Sequence, residues 1–212
     1  MYQPSWFVPY DVVILLVITV VSMAIAVFSL RGYRWIREQS LYYLFLAFAL
    51  LAIGFFANGV TEGIDYISHV RVPPGAIQIT DLGIWVYYIC SVFAFLILVV
   101  AYFRNVREVA IAPAVVLVAA STVTTTTVAP IMEVVVIILL FTILLAQVLH
   151  LSVHRSRSAF AVSLTFILLL AGHIFIVASS VRLADLYAVG MIVELVAFFL
   201  LLGLVLLVRR PG

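Results

Sequence analysis

Lysine is absent from this chain, cysteine occurs once, and charge of either sign is scarce. All eleven basic residues are arginine, so no Schiff base can form and covalent retinal or pyridoxal chemistry is excluded. The lone Cys90 rules out an internal disulfide. Charged residues make up 9% of the chain and hydrophobic residues 67%, against about 25% and about 45–50% in soluble domains. This composition predicts an integral membrane protein that contacts lipid and has no nucleic-acid partner.

Seven apolar runs are long enough to cross a membrane, since a hydrocarbon core takes roughly 20 residues of helix. Arginines flank these runs unevenly: nine stand in the odd-numbered loops and the C-terminal tail, and two, Arg71 and Arg182, on the opposite side. The positive-inside rule then places the N-terminus outside and the C-terminus inside. We expect an all-α, multi-pass protein of a prokaryotic plasma membrane, with one domain over 1–212. The runs lie at 11–30, 41–61, 81–103, 109–129, 131–150, 159–181 and 186–208.

The two halves of the chain resemble each other. At an offset of 118 residues, segment 37–54 matches segment 155–172 at seven of eighteen positions. At an offset of 104, segment 81–98 matches segment 185–202, and both begin with Asp-Leu. Matches of this kind, in the same order, predict a parallel 3+1+3 internal repeat. Its parts are repeat A at 11–103, a linker helix at 109–129 and repeat B at 131–208.

A 3+1+3 arrangement resembles the sugar-transporting SWEET fold, and seven helices resemble the microbial rhodopsins. The prolines of SWEET helices are missing from the helix interiors here, and so is the rhodopsin lysine. A closer resemblance is to small, uncharacterised archaeal three-helix membrane proteins. The shared features are an arginine-rich first loop at 31–40, a second helix rich in Leu, Ala, Phe and Gly, and a third helix that begins Asp81-Leu82. This resemblance covers each half, matches no named functional family and implies no activity.

Two ionisable residues interrupt the apolar runs of repeat B alone. His173 corresponds to Phe55 in repeat A, and Glu194 corresponds to Cys90. Each lies about ten residues from the turn between the last two runs, so antiparallel helices bring both to one depth. An ionisable group in a membrane requires a partner, and Glu194 is the simplest one for His173. The pair either binds a ligand, an ion or a proton, or only holds two helices together.

Other polar residues are expected in the same outer half of the bundle. No catalytic residue is assigned, and a charge at a helix N-terminus remains the alternative explanation for Glu133. Threonines 124–127 are also expected there. The alternative is that their hydroxyls only bond to backbone carbonyls of their own helix. The candidate ligand or proton site consists of His173, Glu194, Asn58, Cys90, Tyr87 and Glu133.

A second candidate site combines Glu62, Asp65 and His69. Their i, i+3, i+7 spacing shares one helix face if the second helix extends beyond the membrane. Carboxylate and imidazole ligands suit zinc or copper, whereas a solvated helix end is the alternative. A haem with two histidine ligands is not expected, because His150 and His173 lie at different depths.

Three functions stay open at this point. The first is a non-enzymatic membrane protein with an outward-facing polar pocket, a ligand-sensing or accessory subunit of a membrane complex. The others are a small-solute or proton-coupled transporter and an intramembrane metal-dependent hydrolase. Gly190 and Gly203, small residues assigned to an outer helix face, are candidate contacts with a partner protein or a second copy of the chain.

Overall fold

Six long helices account for nearly all of the residues that the structure, a computed structural model, describes. These residues are 4, 6–68, 79–103, 128–153, 157–179 and 185–208. Each helix is long and apolar enough to cross a membrane, which confirms the prediction of an all-α, multi-pass membrane protein. Residues 109–127 of the linker helix predicted at 109–129 lie outside the described residues, and residues 128–129 belong to the next helix, α4. The six helices are α1 (Val8–Ile36), α2 (Gln39–Ser68), α3 (Ile79–Phe103), α4 (Val128–Val153), α5 (Arg157–Ala178) and α6 (Asp185–Val208).

The first two helices are longer than their apolar runs predict. At about 1.5 Å per residue, the 29 residues of α1 span more than a hydrocarbon core of about 30 Å. Most of the predicted loop at 31–40 is therefore helix. The actual turn is short, because Arg37 adopts a left-handed conformation (φ 61°) and its N–H donates to the Tyr33 carbonyl at 2.8 Å.

Pro130 lies in the first turn of α4, which begins at Val128. From the sequence, a proline between the apolar runs 109–129 and 131–150 is expected to turn the chain between two helices, and that expectation is wrong. The first turn of a helix has N–H groups without intrahelical partners, so a residue that lacks the N–H costs nothing there. Pro9 occupies the same kind of position in α1.

The helices pack as a closed ring in chain order. Each helix contacts the next, from α1 to α6, and α6 contacts α1. Large apolar side chains face inward to form one core, among them Ile18, Phe48, Leu140 and Phe198. Other large apolar side chains, such as Val20 and Phe93, are more than half exposed, as expected for surfaces that face lipid.

Two glycines allow a close approach of α5 and α6. A Cβ atom added at Gly190 would lie 2.8 Å from the carbonyl oxygen of Gly172 and 2.8 Å from Cγ1 of Ile176. Gly190 is thus buried inside the chain, and its assignment to an outer face was wrong. Gly190 faces α5. Glu194, four residues later, lies on the same face of α6. Gly203, by contrast, has nothing within 4 Å of its added Cβ.

Candidate functional site

A cavity of about 150 Å³ lies at the centre of the ring. All six helices contribute to its wall, near the start of α1, α3, α4 and α6 and the end of α2 and α5. Its apolar lining consists of Leu15, Phe55, Ile84, Ile176 and Met191. Its polar lining consists of Asn58, Glu62, Tyr87, Tyr88, Glu133 and Tyr187.

Asn58 presents an unused acceptor at this cavity. The residue is 7% exposed, and its Oδ1 accepts no hydrogen bond from any part of the chain that the structure describes. Burying a polar atom without a partner is costly, typically about 1–3 kcal/mol. A buried acceptor on a cavity wall is therefore well placed for a ligand or a water to satisfy.

On one side of the cavity, His173 lies between two glutamates. Its Nδ1 is 2.7 Å from Oε2 of Glu133, and its Nε2 is 3.5 Å from Oε1 of Glu194. The three side chains come from α5, α4 and α6 and are at most 2% exposed. The expected partner, Glu194, is at the same depth, but the short contact is with Glu133. This Glu133–His173–Glu194 cluster reaches the cavity through Glu133, which also bonds to Tyr88.

A second polar group, centred on Asp11, lies around the opposite part of the lining. Tyr187 Oη donates to Asp11 Oδ2 at 2.8 Å, and the Asp11 carboxyl also faces the Glu62 carboxyl. Two facing carboxylates repel unless a proton or another cation lies between them. Phe7 covers this group, with its ring centroid 6.2 Å from that of Tyr187. The Asp11–Glu62–Tyr187 group joins α1, α2 and α6.

Aromatic rings close the cavity toward the middle of the helices. Phe55 lines the cavity and meets Phe198 edge to face, with centroids 5.5 Å apart. Phe198 in turn meets Phe48 at 6.1 Å. All three side chains are at most 1% exposed. The cavity thus ends on a packed aromatic layer, and the polar groups described above lie on one side of it.

The structure brings most of the predicted site together. Asn58, Tyr87 and Glu133 line the cavity, and His173 and Glu194 stand directly behind Glu133. Cys90 does not line it: its Cβ packs against the backbone of α2, 3.0 Å from where a Cβ of Gly54 would stand.

The proposed metal ligands separate. The α2 helix does extend to Ser68, as that prediction required, but Glu62 lines the cavity while Asp65 is exposed. His69 lies outside the described residues. Within the described ranges, no group of three or more His, Cys, Asp or Glu side chains is arranged to hold a metal ion.

Sequence reasoning did not find Asp11 or Tyr187 as site residues. Both stand in the first turn of an apolar run. A polar side chain at that position is ordinarily expected to contact the lipid headgroups, so it does not indicate a site. A usable signal existed for Asp11, because it is the one acidic residue in the first 37 residues. The 176-residue separation of Asp11 from Tyr187 hid their contact.

Part of the chain is similar to a known protein family. A family of unknown function, DUF7521, matches residues 12–72, which is fewer than a third of the 212 residues. These residues form most of α1 and α2 and contribute Leu15, Phe55, Asn58 and Glu62 to the cavity. No curated protein matches, and no solved structure matches. As the sequence indicated, the chain resembles a family of unknown function and no named functional family.

Proposed function

We propose that this chain is a non-enzymatic membrane protein that binds a small ligand in the central cavity, as a ligand-sensing or accessory subunit of a membrane complex. The buried, partnerless Oδ1 of Asn58 in the wall of the cavity carries this proposal. The polar lining comes from four of the six helices, and all six contribute to the wall, so occupancy of the cavity would change how the whole ring packs. A sensor requires a ligand that binds one packing of the helices more tightly than another.

A transporter is the second candidate, and the Glu133–His173–Glu194 cluster favours it. Intramembrane carboxylates next to histidine are common in proton relays. Transport also requires a path to the other side of the membrane, and here the rings of Phe48, Phe55 and Phe198 pack below the cavity. The packed layer supports binding over passage. A metal-dependent hydrolase finds no support in the ligand geometry of the described residues.

We further propose the parallel 3+1+3 repeat, with a seventh helix that begins near residue 109 and ends before α4 begins at Val128. Three pairs of cavity-lining residues support it. Leu15 and Glu133, like Asn58 and Ile176, are 118 residues apart, and Tyr87 and Met191 are 104 apart. These are the two offsets found in the sequence, so equivalent residues of the two halves face one cavity.

The glycines of the two halves support the same repeat. Gly54 packs against Cys90, and Gly172 packs against Glu194. Gly54 corresponds to Gly172, and Cys90 corresponds to Glu194. Equivalent residues therefore make the equivalent contact in each half. With one helix as an inverting linker, both halves cross the membrane in the same direction.

The arginine distribution supports an orientation with the N-terminus outside a prokaryotic plasma membrane. Arg31, Arg34 and Arg37 cluster at the end of α1, remote from the cavity. The cavity then lies in the outer half of the bundle, where a ligand arrives from outside the cell. A protein partner or a second copy of the chain would bind the apolar outer faces of the helices.

Thermal unfolding of the purified chain tests ligand binding. The small-molecule fraction of a cell extract should raise the unfolding temperature of the wild type by several degrees, because a bound ligand stabilises the folded state. Ile84→Phe, which fills part of the cavity, should lose this rise, and Gly203→Ala should keep it. An equal rise in the Ile84→Phe variant, or no rise in the wild type, would refute the proposal. Flux of the same fraction into proteoliposomes would favour the transporter.

A further inference from the structure

The carboxyl groups around the cavity have partners within the chain. On one side, Glu133 contacts His173 at 2.7 Å. On the other side, Asp11 accepts a hydrogen bond from Tyr187 at 2.8 Å and is hydrogen-bonded to Glu62. A charged ligand would have to separate some of these contacts, and breaking a buried pair is strongly destabilising. The wall of the cavity therefore favours a ligand without charge.

The side chain of Asn58 supplies an open acceptor next to these paired groups. It is 7% exposed and lines the cavity, and its Oδ1 accepts no hydrogen bond from the described part of the chain. A buried acceptor without a donor is costly, so a molecule in the cavity gains by donating an O–H or N–H to it. Because the amide is neutral, the donor needs no charge.

Beside Asn58, much of the cavity wall is apolar. Phe55 lies three residues earlier in α2, on the same helix face and about 4.5 Å closer to the aromatic layer. The centroid of its ring is 5.1 Å from that of Tyr87. An apolar molecule that rests on the Phe55 ring would therefore bring a polar group at its other end to Asn58. The other apolar side chains of the wall are Leu15, Ile84, Ile176 and Met191.

The volume of the cavity limits the ligand to a small molecule. About 150 Å³ is the size that accommodates about six non-hydrogen atoms. Within that size, one hydroxyl group satisfies the open acceptor and leaves the other atoms free to be carbon. A sugar or an amide would bring further polar atoms against the apolar wall, and each of these would need a partner of its own.

We propose that the central cavity binds a small, uncharged alcohol, a molecule with one hydroxyl group on an apolar body. The hydroxyl donates to Asn58 Oδ1, and the apolar body packs on Phe55 and on the aliphatic side chains of the wall. This assignment rests on the proposed ligand-binding function and names its ligand class.

Calorimetric titration of the full chain in lipid nanodiscs at neutral pH tests the assignment. The probes are cyclopentanol, cyclopentanone and cyclopentylammonium, which share one ring size and differ in the polar group. Cyclopentanol should bind saturably. Cyclopentanone has no donor for Asn58, and cyclopentylammonium brings a charge, so each should bind at least about tenfold more weakly. Heat from partition into lipid is measured in parallel with Ile84→Phe and subtracted.

One variant and one control locate the binding. Asn58→Leu keeps the size of the side chain and removes the acceptor, so it should weaken cyclopentanol binding about tenfold or more and abolish the preference for the alcohol over the ketone. The same variant should unfold at an unchanged or higher temperature, since it removes a buried acceptor without a partner. Gly203→Ala should leave the binding of all three probes unchanged.

Several results would overturn the assignment. They are no saturable binding of cyclopentanol, equal or tighter binding of cyclopentanone or of cyclopentylammonium, and an unchanged preference for the alcohol in Asn58→Leu. If the cell-extract fraction still stabilises the wild type and not Ile84→Phe, the ligand-binding function stands and the ligand class alone is wrong. If the extract also has no effect, both fail.

Discussion

Glu133 and His173 are 40 residues apart in the chain, and their side chains meet at 2.7 Å inside the bundle. The contact joins α4 to α5, and through Glu194 it extends to α6. Under the proposed repeat, Phe55 of the first half corresponds to His173, and Phe55 packs on other aromatic rings. If the repeat is correct, the second half places an ionisable cluster where the first half places an apolar one.

Glu133 and Glu194 should contribute unequally to stability, because their distances from the His173 ring differ. Glu133→Ala leaves His173 without its short contact, and we expect a loss of about 3–5 kcal/mol of unfolding free energy, as for other broken buried pairs. Glu194→Ala should cost less, because its oxygen is 3.5 Å from the ring. Unfolding in mixed detergent and denaturant measures both, and a larger loss for Glu194→Ala would contradict the geometry.

Replacing the whole cluster should be tolerated. His173→Phe alone leaves two carboxylates facing each other and should destabilise the protein. The triple variant His173→Phe, Glu133→Leu, Glu194→Cys installs the residues of the first half, and we expect it to be as stable as the wild type or more so. Retained stability with lost ligand binding would show that the cluster serves binding. A triple variant less stable than His173→Phe would show that the cluster is structural.

Glycine substitutions test the approach of α5 and α6. Gly190→Ala would place a Cβ atom 2.8 Å from the backbone oxygen of Gly172, so the helices must separate, and overpacking of this kind costs about 1–3 kcal/mol. Gly203→Ala is the matched control on the same helix, and its added methyl meets nothing within 4 Å. Equal unfolding temperatures for the two variants would exclude the close contact.

Single-cysteine labelling tests the orientation. In a Cys90→Ala background, Trp6→Cys should react with a membrane-impermeant maleimide added to intact cells, because Trp6 is exposed before the start of α1. Glu38→Cys, in the turn between α1 and α2, should react only after the cells are permeabilised. The reverse pattern would place the cavity on the cytoplasmic side.

Much of the fold follows from the sequence because lipid imposes simple rules. The apolar runs predicted each of the six described helices, and a common distance from one turn brought His173 and Glu194 to one depth. The partner Glu133 could not be identified from the sequence, since its depth depends on where α4 begins, and Pro130 obscured that position.

Contacts between helices that are far apart in the sequence also could not be predicted. The contact of Asp11 with Tyr187 depends on the closure of the ring between α1 and α6, and no local pattern encodes that closure. Helix ends were misplaced for a related reason. An apolar run measures the thickness of the lipid, whereas α1 and α2 continue beyond it.

An experimental density map of the chain, purified in mild detergent without added ligand, tests the central claim most directly. We expect density for a molecule of about six non-hydrogen atoms in the cavity, within hydrogen-bonding distance of Asn58 Oδ1. We also expect His173 to lie between Glu133 and Glu194. A cavity filled by the protein's own side chains, or Asn58 Oδ1 bonded to another part of the chain, would contradict the account.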